Sequence, residues 1–281
     1  MDLFNQNAQV MVPDHAEPKE ALARTTMLCI AAHQDDTEIM AYHAIGECYG
    51  KEDEWFTSVI ATDGAGSPRS GLYSEYTNEQ MRLLRMREQN NAAIVGGYSM
   101  QIQLGYTSGQ VKDPEQHDLT GDIIKILLVC KPKIVLTHNL ADRHETHVST
   151  ALRTIFALRN IPDDVKPEKV YAMEVWRSLD WLNDEDKLIF DTAMHPNIAN
   201  AVLGVFDSQI CGGKRYDLAA IGRRRANATF LASHGVDRVE EAAYGMDITE
   251  LMASDADPGE FISRRIDAFK NDVLSKIKNH W

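Results

Sequence analysis

Thr26-Met27-Leu28-Cys29-Ile30-Ala31-Ala32-His33-Gln34-Asp35-Asp36-Thr37-Glu38 is the stretch on which the reading of this chain turns. Its first seven residues are an apolar run that predicts a buried strand, and residues 39–49, rich in Ala, Met and Ile, predict a helix. Between strand and helix stand one imidazole and three carboxylates within six residues. Like charges that close raise one another's pKa, and a divalent cation relieves them because its charge favours every carboxylate that faces it. His33 and Asp36 are spaced i to i+3, so both side chains can reach a common point as the chain turns into a helix, while Asp35 points differently. The pattern gives His33 and Asp36 to a metal and leaves Asp35 free to act on a neighbouring water.

Outward from this segment, residues 55–62 form a second apolar run ending in the loop Asp63-Gly64-Ala65-Gly66-Ser67-Pro68. Residues 78–95 read as a long helix with Met81, Leu84, Ala92 and Val95 on one side, stopped by Gly96-Gly97. A strand at 100–104, a helix at 118–130, a Val/Ile/Leu strand at 133–137 and a helix at 144–158 follow. The alternation predicts an α/β, Rossmann-like three-layer fold with a mostly parallel sheet and helices on both faces. Residues 1–24, polar and containing Pro13 and Pro18, are read as an N-terminal arm, and 25–281 as one domain. Beyond about residue 165 the order is less regular, with a strand at 169–175 and helices near 207–229 and 259–278; this part is expected to supply substrate-pocket walls.

In open α/β sheets functional groups gather in loops at the carboxyl ends of strands. A second polar segment occupies such a position, Thr137-His138-Asn139-Leu140-Ala141-Asp142-Arg143-His144-Glu145-Thr146-His147. His144 and His147 repeat the i to i+3 spacing, and one of them completes a set of two histidines and one carboxylate that leaves a position open for water or substrate. A lone histidine at a strand end is usually structural and an Asp-Asp pair usually a helix cap. Two such segments after strands of one sheet favour the metal.

Composition removes several function classes. A formal charge of -13 argues against a nucleic-acid partner, and Arg223-Arg224-Arg225 is read as a solvated helix face. Cys29, Cys48, Cys130 and Cys211 are too scattered for a thiolate zinc site or a disulfide scaffold. No basic-then-apolar leader and no bilayer-length apolar stretch is present, so a cytoplasmic protein with no membrane insertion is expected. His15, His43, His117, His195, His234 and His280 have no partner at ligand spacing and are read as structural or solvated, with His138 the closest to a functional assignment. Trp176, Trp181 and Tyr216 are read first as core residues, with stacking on a sugar ring as the alternative.

The segment from Ala32 to Glu38, with His144-Glu145-Thr146-His147, resembles the LmbE-like or PIG-L family of zinc-dependent deacetylases, whose hallmarks are A-H-P-D-D-x-E and a later H-P-D-H. Thr62-Asp63-Gly64 resembles the family's T-x-G loop, Arg85-x-x-Glu88 with Ala92 and Gly96 its R-x-x-E helix, and Ser208-Gln209 its late S-Q. The likeness is strong from about 26 to 158 and faint afterwards. It implies that His33, Asp36 and His147 bind zinc, or another divalent metal such as iron, and that Asp35 is the general base. It further implies that His144 stabilises the oxyanion or protonates the leaving amine, that Arg85 binds substrate, and that Glu38, Asp142 and Glu145 support these groups from behind. The implied reaction removes an acetyl or other acyl group from the amine of an N-acetylglucosamine-like sugar or conjugate, a non-sugar amide being the alternative substrate. A homo-oligomer is compatible with the resemblance, although no heptad pattern supports one.

Three departures stand out: Gln34 for proline, Glu145-Thr146 for Pro-Asp, and Ala65 where many relatives have Glu. The second removes the acid beside the catalytic histidine and leaves Asp142 or Glu145 to orient His144. Two readings from other classes compete. A non-haem Fe(II) oxygenase uses the same ligand types but explains neither Asp35 nor the α/β pattern. A non-catalytic, nucleotide-binding Rossmann-like module would need a G-x-G-x-x-G turn that the first strand lacks.

Overall fold

Alternate residues of the central strands face opposite layers in the computed structural model, which describes residues 2–281. Leu28 and Ile30 join Val59, Ile102, Val135, Ile123 and Leu158 in one core, while Cys29 and Ala31 join Ile60, Leu136, Ile45 and Leu203 in the other. Both faces of the sheet are therefore covered, as the unbroken apolar runs require. The strands are β1 (Gln9–Met11), β2 (Met27–Ala31), β3 (Phe56–Thr62), β4 (Met100–Tyr106), β5 (Ile134–His138), β6 (Lys169–Met173), β7 (Leu188–Asp191) and β8 (Ala242–Asp247). They form one sheet in the order β1-β4-β3-β2-β5-β6-β8-β7. β4, β3, β2, β5 and β6 are parallel; β1, β8 and β7 add antiparallel edges. This is the α/β class that the alternation predicts.

The order explains where a site can form. β2 lies between β3 and β5, so strand order reverses there, and a crevice opens at the carboxyl ends where such sheets bind ligands. Parallel pairing of Ile30 with Thr137 brings the loops after β2 and β5 side by side. Segments 107 residues apart in sequence thus share one end of the sheet.

Four segments differ from expectation. The helix expected at 39–49 is two helices, Asp36–Met40 and Tyr42–Cys48, broken at Ala41 (φ -114°, ψ 21°). The Arg224 guanidinium donates to the Glu38 carbonyl at 2.6 Å, taking an acceptor near the break. The helical stretch expected at 207–229 is split into Asp207–Ile210 and Tyr216–Phe230 by a turn in which Gly213 has φ +105°. The lead-in is packed: β1 pairs with β4, the helix Pro18–Ala23 buries Ala21 and Leu22, and Asp122 accepts the backbone N–H groups of Phe4 and Asn5 at 2.6 and 3.3 Å. Finally, Arg223-Arg224-Arg225 is not a uniform solvated face. Consecutive helical positions point about 100° apart, and Arg224 is buried while Arg225 is exposed. Among the described residues no helix is long and apolar enough to cross a membrane.

Candidate metal centre

The loop after β2 turns sharply into the helix Asp36–Met40, and Asp35 caps that helix in the left-handed region (φ 88°, ψ -26°). A non-glycine residue held there stores strain of about 1–3 kcal/mol, and surrounding bonds hold it. Asp35 N–H donates to Gln89 Oε1 at 3.1 Å, and Gln89 in turn donates to Glu38 at 2.8 Å, which also accepts from Tyr98 at 2.7 Å. Glu38 is thus anchored behind the loop and acts on Asp35 through Gln89. Burial pushes its carboxyl up to about 7.

Gln34, the residue in place of proline, replaces ring stiffness with a tether. Its Nε2 donates to the Thr62 carbonyl at 3.1 Å and to Gln103 Oε1 at 3.2 Å. Gly64 makes room for it: at φ +71° a Cβ would stand 2.4 Å from Gln34 Oε1. Arg85, from the helix Asn78–Val95, donates to the Gln34 carbonyl and to Ser67 Oγ and lies 3.2 Å from Asp35 Oδ2. Its guanidinium ties the first and second loops together and pairs with Asp35 at the cavity wall.

Three donor atoms converge beside this loop. His33 Nδ1 lies 3.2 Å from Asp36 Oδ2 and 3.2 Å from His147 Nε2, and the last two atoms are 3.3 Å apart. Ligand bonds of about 2.0–2.1 Å in a tetrahedron give ligand separations of about 3.3 Å, so the spacing fits a small divalent cation with a fourth position open. The donor chemistry fits too: two imidazole nitrogens facing one carboxylate oxygen share at most a proton or two between them, and a cation satisfies all three. Asp36 is buried, which alone would raise its pKa, but the charge of His147 and hydrogen bonding with His33 hold it well below the carboxylate range. His147 Nδ1 faces Asp142 Oδ2 at 3.3 Å, which directs its Nε2 into the site.

Residues 28–158 match the family model described as PIG-L: GlcNAc-PI de-N-acetylase. Over that stretch the chain is similar to the PIG-L family. Its fold is shared by N,N'-diacetylchitobiose deacetylase from Pyrococcus horikoshii (TM-score 0.62, 17% identity, 82% of this chain and 85% of that one). It is shared also by 4-carboxy-2-hydroxymuconate hydratase from Pseudomonas putida (0.60, 18%, 80% and 95%) and a conserved protein of Thermus thermophilus (0.58, 17%, 79% and 94%). No curated protein matches the sequence closely enough to count as a relative.

The Pro-Asp departure from the PIG-L pattern has a structural consequence. Glu145, expected as a possible orienter of His144, is exposed and faces Lys112 Nζ at 3.5 Å on the rim. Asp142 accepts the backbone N–H of His144 at 3.1 Å, but its ring contact is with His147. The His144 ring is oriented by backbone instead: its Nδ1 accepts the Thr146 N–H at 3.2 Å, as the cap of the helix Glu145–Arg159. That acceptor role leaves the proton of the neutral ring on Nε2. Burial, with the rings of His33 and His147 beside it, lowers the His144 pKa.

Several residues that the sequence left undecided or unremarked are brought here by the fold. His138 is fully buried, accepts the Ala32 N–H at 2.8 Å, stacks on His147 at 3.9 Å and approaches Asp36 Oδ2 to 3.4 Å. Its position at the end of β5, next to β2, was the available signal. The cavity above the three donors measures about 500 Å³ and is walled by Trp176, Gln209, Lys214 and Tyr216 from the weakly patterned half. Trp181 is not among these; it packs against the core and donates to Glu174 at 2.9 Å. Glu88 explains how the late segment is docked: its carboxylate accepts from Ser208 N and Oγ at 2.7 and 2.6 Å, joining the R-x-x-E and S-Q motifs.

Proposed function

We propose that this chain is a metal-dependent N-deacetylase that removes an acetyl or other acyl group from the amine of an N-acetylglucosamine-like sugar or conjugate. One observation carries the reading: three donor atoms 3.2–3.3 Å apart, with the Asp35 carboxyl beside them, at the foot of a cavity large enough for a sugar. The match to a de-N-acetylase family model and the fold shared with a chitobiose deacetylase support the substrate class.

His33, Asp36 and His147 would hold the ion, zinc or another divalent metal such as iron. A divalent ion bound there supplies Lewis acidity, polarising the acyl carbonyl and lowering the pKa of water from about 16 towards about 7. Asp35 takes the proton of the attacking water. Burial raises its carboxyl well above the usual range, against the pull of Arg85, and a base works best with its pKa near the operating pH. Arg85 keeps Asp35 aimed at the open position.

His144 acts as a neutral donor, presenting Nε2–H to the oxygen that becomes negative; such a donor typically contributes about 10²–10³ in rate. As the C–N bond breaks, the proton held by Asp35 passes to the amine nitrogen, and the oxygen of water leaves in the carboxylate product. Trp176 and Tyr216 offer aromatic faces to the sugar ring.

The test is a screen of N-acetylated amino sugars, their conjugates and simple amides for free-amine release, with and without chelator. The account expects chelator-sensitive release from an N-acetylated sugar. Release only from non-sugar amides overturns the substrate class, and release that ignores chelator overturns the metal. In the same assay Asp35→Asn keeps its metal and loses about two to four orders of magnitude in turnover; near-normal turnover at full occupancy rejects Asp35 as the base.

A further inference from the structure

A buried arginine behind the catalytic loop has no counter-charge. Arg224 is 2% exposed, and its Nε and Nη1 have no hydrogen-bond partner. Its Nη2 is spent on the Glu38 carbonyl, and its guanidinium lies 4.7 Å above the Tyr42 ring. Among the described residues no carboxylate pairs with it: Glu241, the acidic group whose charge it feels most, bonds to Arg225 at 3.0 Å instead. A charged group buried this way is costly unless something neutralises it.

The space beside it is built for that purpose. Arg224 lines a cavity of about 30 Å³ together with Arg177, Arg223, Glu174, Ser178 and Asn227. Three guanidinium-bearing side chains thus meet one carboxylate. That carboxylate is already engaged by neutral donors, Leu179 N at 2.6 Å and Trp181 Nε1 at 2.9 Å, and burial pushes it up to about 7. Arg223 is directed at the carbonyls of Val175 and Arg177. His43, which feels the same positive field, is held neutral by burial and by Arg224. The lining therefore carries excess positive charge beside an arginine whose Nε and Nη1 have no partner.

We propose that this cavity binds a single small monovalent anion of halide class, held against the Arg224 guanidinium between Arg223 and Arg177. A water needs about 10–15 Å³ of such space, so about 30 Å³ admits a halide. The anion completes the charge of the group that holds the Glu38 carbonyl, and through it steadies the Asp36–Met40 helix that carries a metal-site residue. The site is separate from the catalytic cavity, with which it shares only Ile39 in its wall.

Bromide is the probe. Crystals of the full chain equilibrated in bromide, measured at the bromine absorption edge, are expected to show an anomalous peak in contact with the Arg224 guanidinium. Thermal unfolding at constant ionic strength is expected to show a Tm that rises as gluconate is replaced by chloride or bromide; a halide concentration of 100 times Kd lowers the unfolding constant about 100-fold. Arg224→Gln abolishes that halide dependence, and Arg177→Gln, on the exposed rim, weakens it without disturbing the buried hydrogen bond to Glu38. No anomalous peak at Arg224 overturns the proposal, whether or not the variants fold. So does a Tm indifferent to halide in the parent protein.

Discussion

Asp142→Asn is the substitution that separates orientation of a metal ligand from catalysis. The carboxylate faces His147 Nδ1 at 3.3 Å and also accepts the backbone N–H groups of Val175 and His144, both at 3.1 Å. Asparagine keeps the shape and an acceptor oxygen but removes the charge that makes His147 a better ligand. Loss of such a partner costs about 10–100-fold in metal affinity, or about 1.4–2.7 kcal/mol. Stability changes in parallel. Burial would raise the Asp142 pKa, yet the close approach and charge of His147, with smaller help from His138 and the His144 N–H, hold it at about 2 against an ordinary 3.8. A depressed carboxylate contributes on the order of 2 kcal/mol above about pH 4, lost as pH falls through about 2. The assay is a zinc competition titration against a chelating dye at fixed pH, with urea unfolding of the cation-free protein alongside. Zinc affinity within about twofold of the parent, in a variant that folds normally, would refute the assignment of Asp142 to His147.

Four further outcomes follow from the same geometry. In the cation-free protein burial disfavours protonated His147, but the charge of Asp36 and bonds to Asp142 and Asp36 prevail and raise it to about 10. Metal must then displace a proton, so zinc affinity rises about tenfold per pH unit from neutrality up to about pH 10; a flat profile by chelator competition rejects this. By linkage, the contribution of His147 to cation-free stability is complete below about pH 6.5 and lost as pH rises through about 10, which thermal unfolding reads directly. Gly64→Ala, with φ +71° and a Cβ 2.4 Å from Gln34 Oε1, costs about 1–3 kcal/mol in urea unfolding and lowers turnover by displacing the Asp35 loop; unchanged stability contradicts it. Glu145→Gln leaves kcat/KM within about twofold, since an exposed pair with Lys112 contributes little, whereas a large drop would return Glu145 to the orientation of His144.

Much of this arrangement was legible because the relevant physics is local. The apolar run before His33 and the Val/Ile/Leu run before His138 could only be buried strands, and polar segments after parallel strands share one end of the sheet. The i to i+3 spacing of His33 and Asp36 carried through to a 3.2 Å contact. What failed depended on exposure and on distant partners. Glu145 sits beside His144 in sequence, but the first helical turn sends its side chain outward, and the backbone N–H of Thr146 takes the orienting role. The break at Ala41 coincides with a carbonyl claimed by Arg224, 186 residues away, and periodicity has no access to such a partner. β7 was unread because it is short, and β8 because Ala-Ala-Tyr-Gly-Met-Asp has weak strand propensity. Trp176 and Tyr216 could not be told from core residues until the Glu88–Ser208 tether fixed the late segment against the cavity.

The most direct measurement is an anomalous difference map, recorded at the zinc absorption edge, from crystals of the parent protein grown with zinc. One peak is predicted, about 2.0–2.2 Å from His33 Nδ1, an Asp36 carboxylate oxygen and His147 Nε2, with the Asp35 carboxyl nearby and not bonded to it. A peak held by other side chains, or none between these three at saturating zinc, would contradict the assignment of these residues as the metal centre.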